Sequence, residues 1–162
     1  MLFKQLTSLI IILLIFSCSK KDEINYKQDE RVSPFILYEE GMKSFEKRDY
    51  FFASKKFSEA ELNFEQVELA AKSSLMASFC LYGINFYNEA IEGLERYLNT
   101  YPADKNVIYA HYLLAIIQCE LISDEKKDLK PLIEANKKID FFLKKYPNSD
   151  YALDLRFKKD LI

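Results

Sequence analysis

The feature that most constrains this chain's fold is a repeated segment. Ala90-Ile-Glu-Gly-Leu-Glu-Arg-Tyr-Leu-Asn-Thr-Tyr-Pro102 and Ala135-Asn-Lys-Lys-Ile-Asp-Phe-Phe-Leu-Lys-Lys-Tyr-Pro147 lie 45 residues apart. In both, a small residue is followed four, seven and eight positions later by large apolar ones, and both stop at Tyr-Pro. Apolar residues at such spacings share one face of a helix, and a proline just beyond prevents its continuation. A helical hairpin of this size cannot bury its apolar face alone, so recurring units must stack. A third copy lies upstream, with Ala53, Phe57 and Ala60 at the same internal spacings and no closing proline.

From Pro34 onward the apolar residues recur at three and four, never in sustained alternation. Three glycines and four prolines in 162 residues are too few for the frequent turns of an all-β fold. The expectation is therefore an all-α solenoid of helical hairpins, about 34–65, 68–102 and 105–147, with the start of a fourth at 149–162. Pro34 suits a first helical turn, Asp49 opens the second helix, and Asn63-Phe-Glu-Gln is the expected break. Ala53 and Ala90 are small where antiparallel helices must approach closely. Ser123 to Asp128 reads as a charged insertion inside the third hairpin.

The first residues differ in kind. Lys4 and the free amine precede the apolar run Leu9 to Phe16, which is too short to span a bilayer but suits a signal peptide. The run ends at Ile15-Phe-Ser-Cys18-Ser19, which resembles the lipobox of bacterial lipoproteins. That resemblance implies cleavage of residues 1–17 and a lipidated Cys18; the alternative is an ordinary cleaved signal with an incidental cysteine. Several acyl chains, at about 0.8 kcal/mol per buried methylene, would anchor the protein stably. Ser19 in place of aspartate implies an outer-membrane destination. The polar residues 18–33 read as a flexible tether.

The hairpins resemble tetratricopeptide repeats, with Lys72 to Pro102 the nearest copy. Together with the lipobox, Tyr87-Asn-Glu-Ala90 and Tyr146-Pro147-Asn-Ser-Asp-Tyr151, they resemble the BamD family, lipoproteins of the outer-membrane β-barrel assembly machinery. The resemblance implies a non-catalytic receptor on the periplasmic face of the outer membrane. It would bind unfolded outer-membrane precursors and dock a BamA-like barrel-inserting protein and other assembly lipoproteins. BamD proteins carry more repeats, so the chain is expected to be C-terminally truncated. A different periplasmic tetratricopeptide adaptor, serving cell-wall or envelope complexes, is the alternative.

The repeat resemblance implies a groove lined by first helices, giving Phe35, Tyr38, Met42, Lys72, Phe79, Tyr82, Asn106 and Tyr109 as its candidates, with Phe45, Leu75 and Leu113 leaning toward the core. Rings supply apolar area to an extended peptide and tyrosine hydroxyls can bind its carbonyls; the same rings could equally be hairpin core. Cys80 and Cys119 read as free thiols in apolar helices, with a disulfide the alternative. His111, the only histidine, has no partner at metal-ligand spacing. Glu89, Glu92, Glu95 and Arg96 read as a solvated face. No catalytic constellation is present, no metal site is expected, and no cofactor beyond the Cys18 lipid is implied. A formal charge of −2 argues against nucleic acid.

Overall fold

The computed structural model describes residues 32–122 and 129–162. The signal peptide, Cys18, nearly all of the tether and the charged insertion fall outside the described residues. Among those described, every regular element is a helix: α1 Pro34–Glu46, α2 Tyr50–Asn63, α3 Val67–Gly83, α4 Tyr87–Thr100, α5 Val107–Ile122, α6 Lys130–Lys145 and α7 Ala152–Leu161. None is long and apolar enough to cross a membrane. The all-α hairpin architecture expected from the repeat is the architecture found.

The repeat register is visible in the burial. Ala53, Ala90 and Ala135 are fully buried, and so are Phe57, Leu94 and Ile139 four positions on. Ala60, Tyr97 and Phe142, seven positions on, are fully buried as well. Each second helix also ends alike, with an aromatic cap whose N–H returns to the carbonyl four residues back. These bonds are Phe64 to Ala60 at 3.0 Å, Tyr101 to Tyr97 at 2.8 Å and Tyr146 to Phe142 at 2.7 Å. The first copy thus stops on Phe64 without a proline, because the extended backbone there already ends the helix.

Starts and turns are local. Pro34 stands at the first turn of α1, and the Asp49 carboxylate accepts the Phe52 N–H at 3.2 Å to cap α2. Each core cluster is built from one hairpin and the first helix of the next. Ala53 and Phe57 of α2 meet Ala77 and Cys80 of α3. Leu75 of α3, Leu94 and Tyr97 of α4 and Leu114 of α5 form the second cluster. Ile116, Ile139, Phe142 and Leu155 join α5, α6 and α7 in the third. Stacking therefore supplies the burial that no hairpin supplies alone.

The close approaches are made by glycine as well as alanine. A Cβ on Gly41 would lie 2.8 Å from Cε1 of Phe57, and one on Gly93 would lie 2.5 Å from Oγ of Ser78. Arg96, on the solvated face of α4 as expected, also has a buried partner. Its guanidinium spans back to Glu61, a carboxylate with only 5% of its side chain exposed. Glu61 sits eight residues after Ala53, where the other copies have Leu98 and Leu143, so α4 supplies the charge that balances it.

Candidate functional site

The sequence candidates separate into two groups, with Asn106 apart from both. At the α1 end, Phe35 is exposed and meets Phe64 edge-on at 5.1 Å. Tyr38 packs on Phe57 at 5.2 Å, and Lys72 holds its ammonium 5.1 Å from the Tyr38 ring centroid. Met42 packs partly buried against the α1–α2–α3 cluster. Leu75 and Leu113 are buried, as expected of core positions, while Phe45 is half-buried.

The second group is a path of half-buried rings along the first helices. Phe45 meets Phe79 at 6.0 Å, and Phe79 meets Tyr82 at 6.2 Å. Tyr82 packs against the second and third core clusters together. Tyr109 follows, 6.2 Å from Tyr112 and 5.7 Å from Tyr151. Tyr112 and Tyr151 stack at 4.5 Å with 21° between planes. Tyr112 and Tyr151 are not among the sequence candidates, although Tyr112 stands one helical turn from Tyr109, a spacing that marks it. Tyr151 reaches the site only through the packing of α7 against α5.

Burial raises the pKa of Tyr82, Tyr109 and Tyr112; Glu120 adds to it for Tyr82, and Asp154 for Tyr112. These hydroxyls stay protonated at neutral pH. Tyr112 donates its proton to Oδ2 of Asp154 at 2.9 Å.

Asn106 has a different neighbourhood. Its backbone and side-chain nitrogens donate to Oδ1 of Asp104 at 2.9 and 3.0 Å, and Asp104 also accepts from the Tyr97 hydroxyl. Burial alone would raise the Asp104 pKa, but these bonds outweigh it and hold it low. Asn106 and Lys72 line one cavity of about 820 Å³ between the start of α3 and the Tyr101–Asn106 loop. Tyr101 on its wall donates to Oε1 of Glu61 at 3.1 Å.

The described residues include no group of three or more His, Cys, Asp or Glu placed to hold a metal ion. His111 packs between Phe141 at 5.0 Å and Tyr146 at 5.8 Å. Burial, aided by Lys145 and Lys138, lowers its pKa to about 4. Cys80 and Cys119 are free thiols, the first buried and the second half-buried.

A helical-hairpin array with an aromatic first-helix face can be set beside known proteins. Residues 30–162 match the model of the YfiO family, described as outer membrane lipoprotein. The chain belongs to this family of outer membrane lipoproteins. It is similar to the outer membrane protein assembly factor BamD of Rickettsia prowazekii, 30% identical over 99% of this chain and 63% of that protein. The assembly factor BamD of Caulobacter vibrioides is 32% identical over 78% of this chain and 42% of its own length. The chain thus spans less than two thirds of either relative. The family match covers every described helix, including those that carry the ring path and the cavity.

Proposed function

We propose that this lipoprotein is a non-catalytic component of the outer-membrane β-barrel assembly machinery, held at the periplasmic face by a lipid on Cys18. It receives unfolded outer-membrane precursors and scaffolds partner subunits, among them a barrel-inserting protein of the BamA type. The names of its relatives support the assembly role, and the ring path from Phe45 to Tyr151 supports the receptor role. That path carries the reading, because it combines apolar area with protonated hydroxyls. An extended segment with alternating aromatic residues could lay its rings against Phe79 and Tyr82 while Tyr82 and Tyr109 donate to its carbonyls.

Photo-crosslinking to a peptide ending in phenylalanine tests the receptor role. Tyr82→Ala and Phe79→Ala should each weaken capture while helical circular dichroism is retained; unchanged capture would return both rings to the core. Co-purification of the tagged chain with a barrel-inserting protein tests the scaffold role. Cys18→Ala should move the protein from the membrane fraction to the soluble periplasm, and persistent membrane fractionation would refute the anchor.

A further inference from the structure

Another aromatic patch forms where the α1–α2 and α3–α4 turns meet. The two turns are structural copies. Arg48 and Asn85 each take a φ of 61°, and each stands five residues before the buried alanine of its repeat. Arg48 and Asp49 donate to the carbonyls of Phe45 and Ser44, and Asn85 and Phe86 to those of Tyr82 and Leu81, all at 2.9 Å. Left-handed backbone is uncommon outside glycine, so the same turn built twice from Arg and Asn reflects the hairpin geometry. The Tyr50 ring packs 3.2 Å from the Cβ position of Gly83 and holds the two turns together.

Beside this contact two large rings are left in solvent. Phe51 is 50% exposed and Phe86 is 43% exposed. They touch each other edge-to-face at 6.4 Å, and Lys55 lies 4.6 Å over the Phe51 ring. Lys47, Arg48 and Lys55 join none of the ion pairs among the described residues. The acids of the same segments are Asp49, engaged as the α2 cap, and the exposed Glu46 and Glu89. The result is an exposed aromatic pair in a rim of both charges.

We infer that the Phe51–Phe86 patch rests in the phospholipid headgroup layer of the membrane that carries the lipid anchor. Phenylalanine flanked by lysine and arginine is the composition of surfaces that lie at that interfacial depth. A zwitterionic headgroup layer presents phosphate to Lys47, Arg48 and Lys55, and ammonium to Glu46 and Glu89, matching the mixed rim. Two half-exposed rings alone would bind a membrane marginally. However, only thirteen residues lie between Cys18 and Val32, a reach of about 50 Å at full extension. Such tethering gives an effective concentration on the order of millimolar, at which a marginal contact is populated. The inference rests on the Cys18 anchor but is independent of peptide capture.

The chain contains no tryptophan, so Phe86→Trp places a single reporter in the patch. The lipidated full chain carrying Phe86→Trp is reconstituted into phosphatidylethanolamine/phosphatidylglycerol vesicles with and without brominated acyl chains. Expected are a blue shift of emission relative to detergent-free buffer and loss of intensity to the brominated lipid. Both should disappear when Phe51→Ser and Lys55→Glu are added. A control with Leu62→Trp, on the same helix and 82% exposed, should show neither. Trp emission at 86 that is unshifted, or quenched no more than at 62, would overturn the inference. Failure of the protein to co-sediment with vesicles would overturn it by removing the anchor beneath it.

Discussion

Arg96 grips Glu61 with both ends of its guanidinium, Nη1 to Oε1 at 2.6 Å and Nη2 to Oε2 at 2.8 Å. The pair links α4 of the second hairpin to α2 of the first, and Nη2 also reaches Oγ of Ser74 on α3 at 3.3 Å. Three helices are thereby held at one point. Because Glu61 is buried while half the Arg96 side chain is exposed, the two partners are unequal in what their loss leaves behind.

Removing the arginine strands a buried carboxylate. Arg96→Met should destabilise the chain by about 2 kcal/mol, below the usual cost of breaking a wholly buried pair because solvent reaches the arginine side. Glu61→Gln should cost less, since an amide can still accept from Arg96 and Tyr101. Urea denaturation of both single variants and the double variant measures the coupling; strict additivity would show the pair contributes nothing.

The glycine contacts separate rigid from adjustable packing. Gly41→Ala pushes a methyl against the fully buried Phe57 ring, with Cδ1 at 2.9 Å and Cγ at 3.2 Å. A loss of about 1–3 kcal/mol is expected, outweighing the roughly 1 kcal/mol that alanine gains in a helix. Gly93→Ala meets chiefly the Ser78 hydroxyl, whose Cβ is farther away at 3.4 Å. Adding Ser78→Ala should therefore rescue Gly93→Ala in thermal denaturation, whereas Gly41→Ala has no comparable one-atom remedy.

The half-buried imidazole of His111 makes stability depend on acidity. His111 has its pKa lowered from 6.5 to about 4 in the folded chain. Above that window it is neutral folded and unfolded. As pH falls through it, the unfolded chain binds a proton that the folded chain refuses, so stability drops with pH. Because solvent screens the half-buried ring, the contribution lost by pH 4 is on the order of 1–2 kcal/mol. His111→Phe keeps the ring against Phe141 and Tyr146 and removes the titration. Its stability should fall less steeply between pH 6.5 and 4 than that of the unsubstituted chain, and parallel slopes would refute the assignment.

The thiols differ in reach. Burial pushes the Cys80 pKa up to about 12, so it holds almost no thiolate at pH 8. Iodoacetamide should modify Cys119 slowly and Cys80 only after denaturation, read by peptide mass spectrometry. Rapid native labelling of Cys80 would contradict its place in the α1–α2–α3 core.

Local signals made much of the fold legible. Asp49, Pro34 and the aromatic caps act within one helical turn, so helix ends could be read from neighbouring residues. The alanine register at 53, 90 and 135 marked the buried face for the same reason. The repeat resemblance reaches Phe79, Tyr82 and Tyr109 but not Tyr151, because Tyr151 joins Tyr112 only across the α5–α7 contact.

The sequence by itself determined that the chain is a stack of helical hairpins, where most helices start and stop, and which stripe of each is apolar. Periodicity and capping depend on residues a few positions apart, and those are written consecutively. Tertiary structure alone decided that Arg96, half-exposed on its helix, balances the buried Glu61, that Gly41 yields to Phe57, and which rings line a path. Those outcomes depend on which neighbouring helix covers a given side chain. A helical period shows that a face will be covered, but not by what.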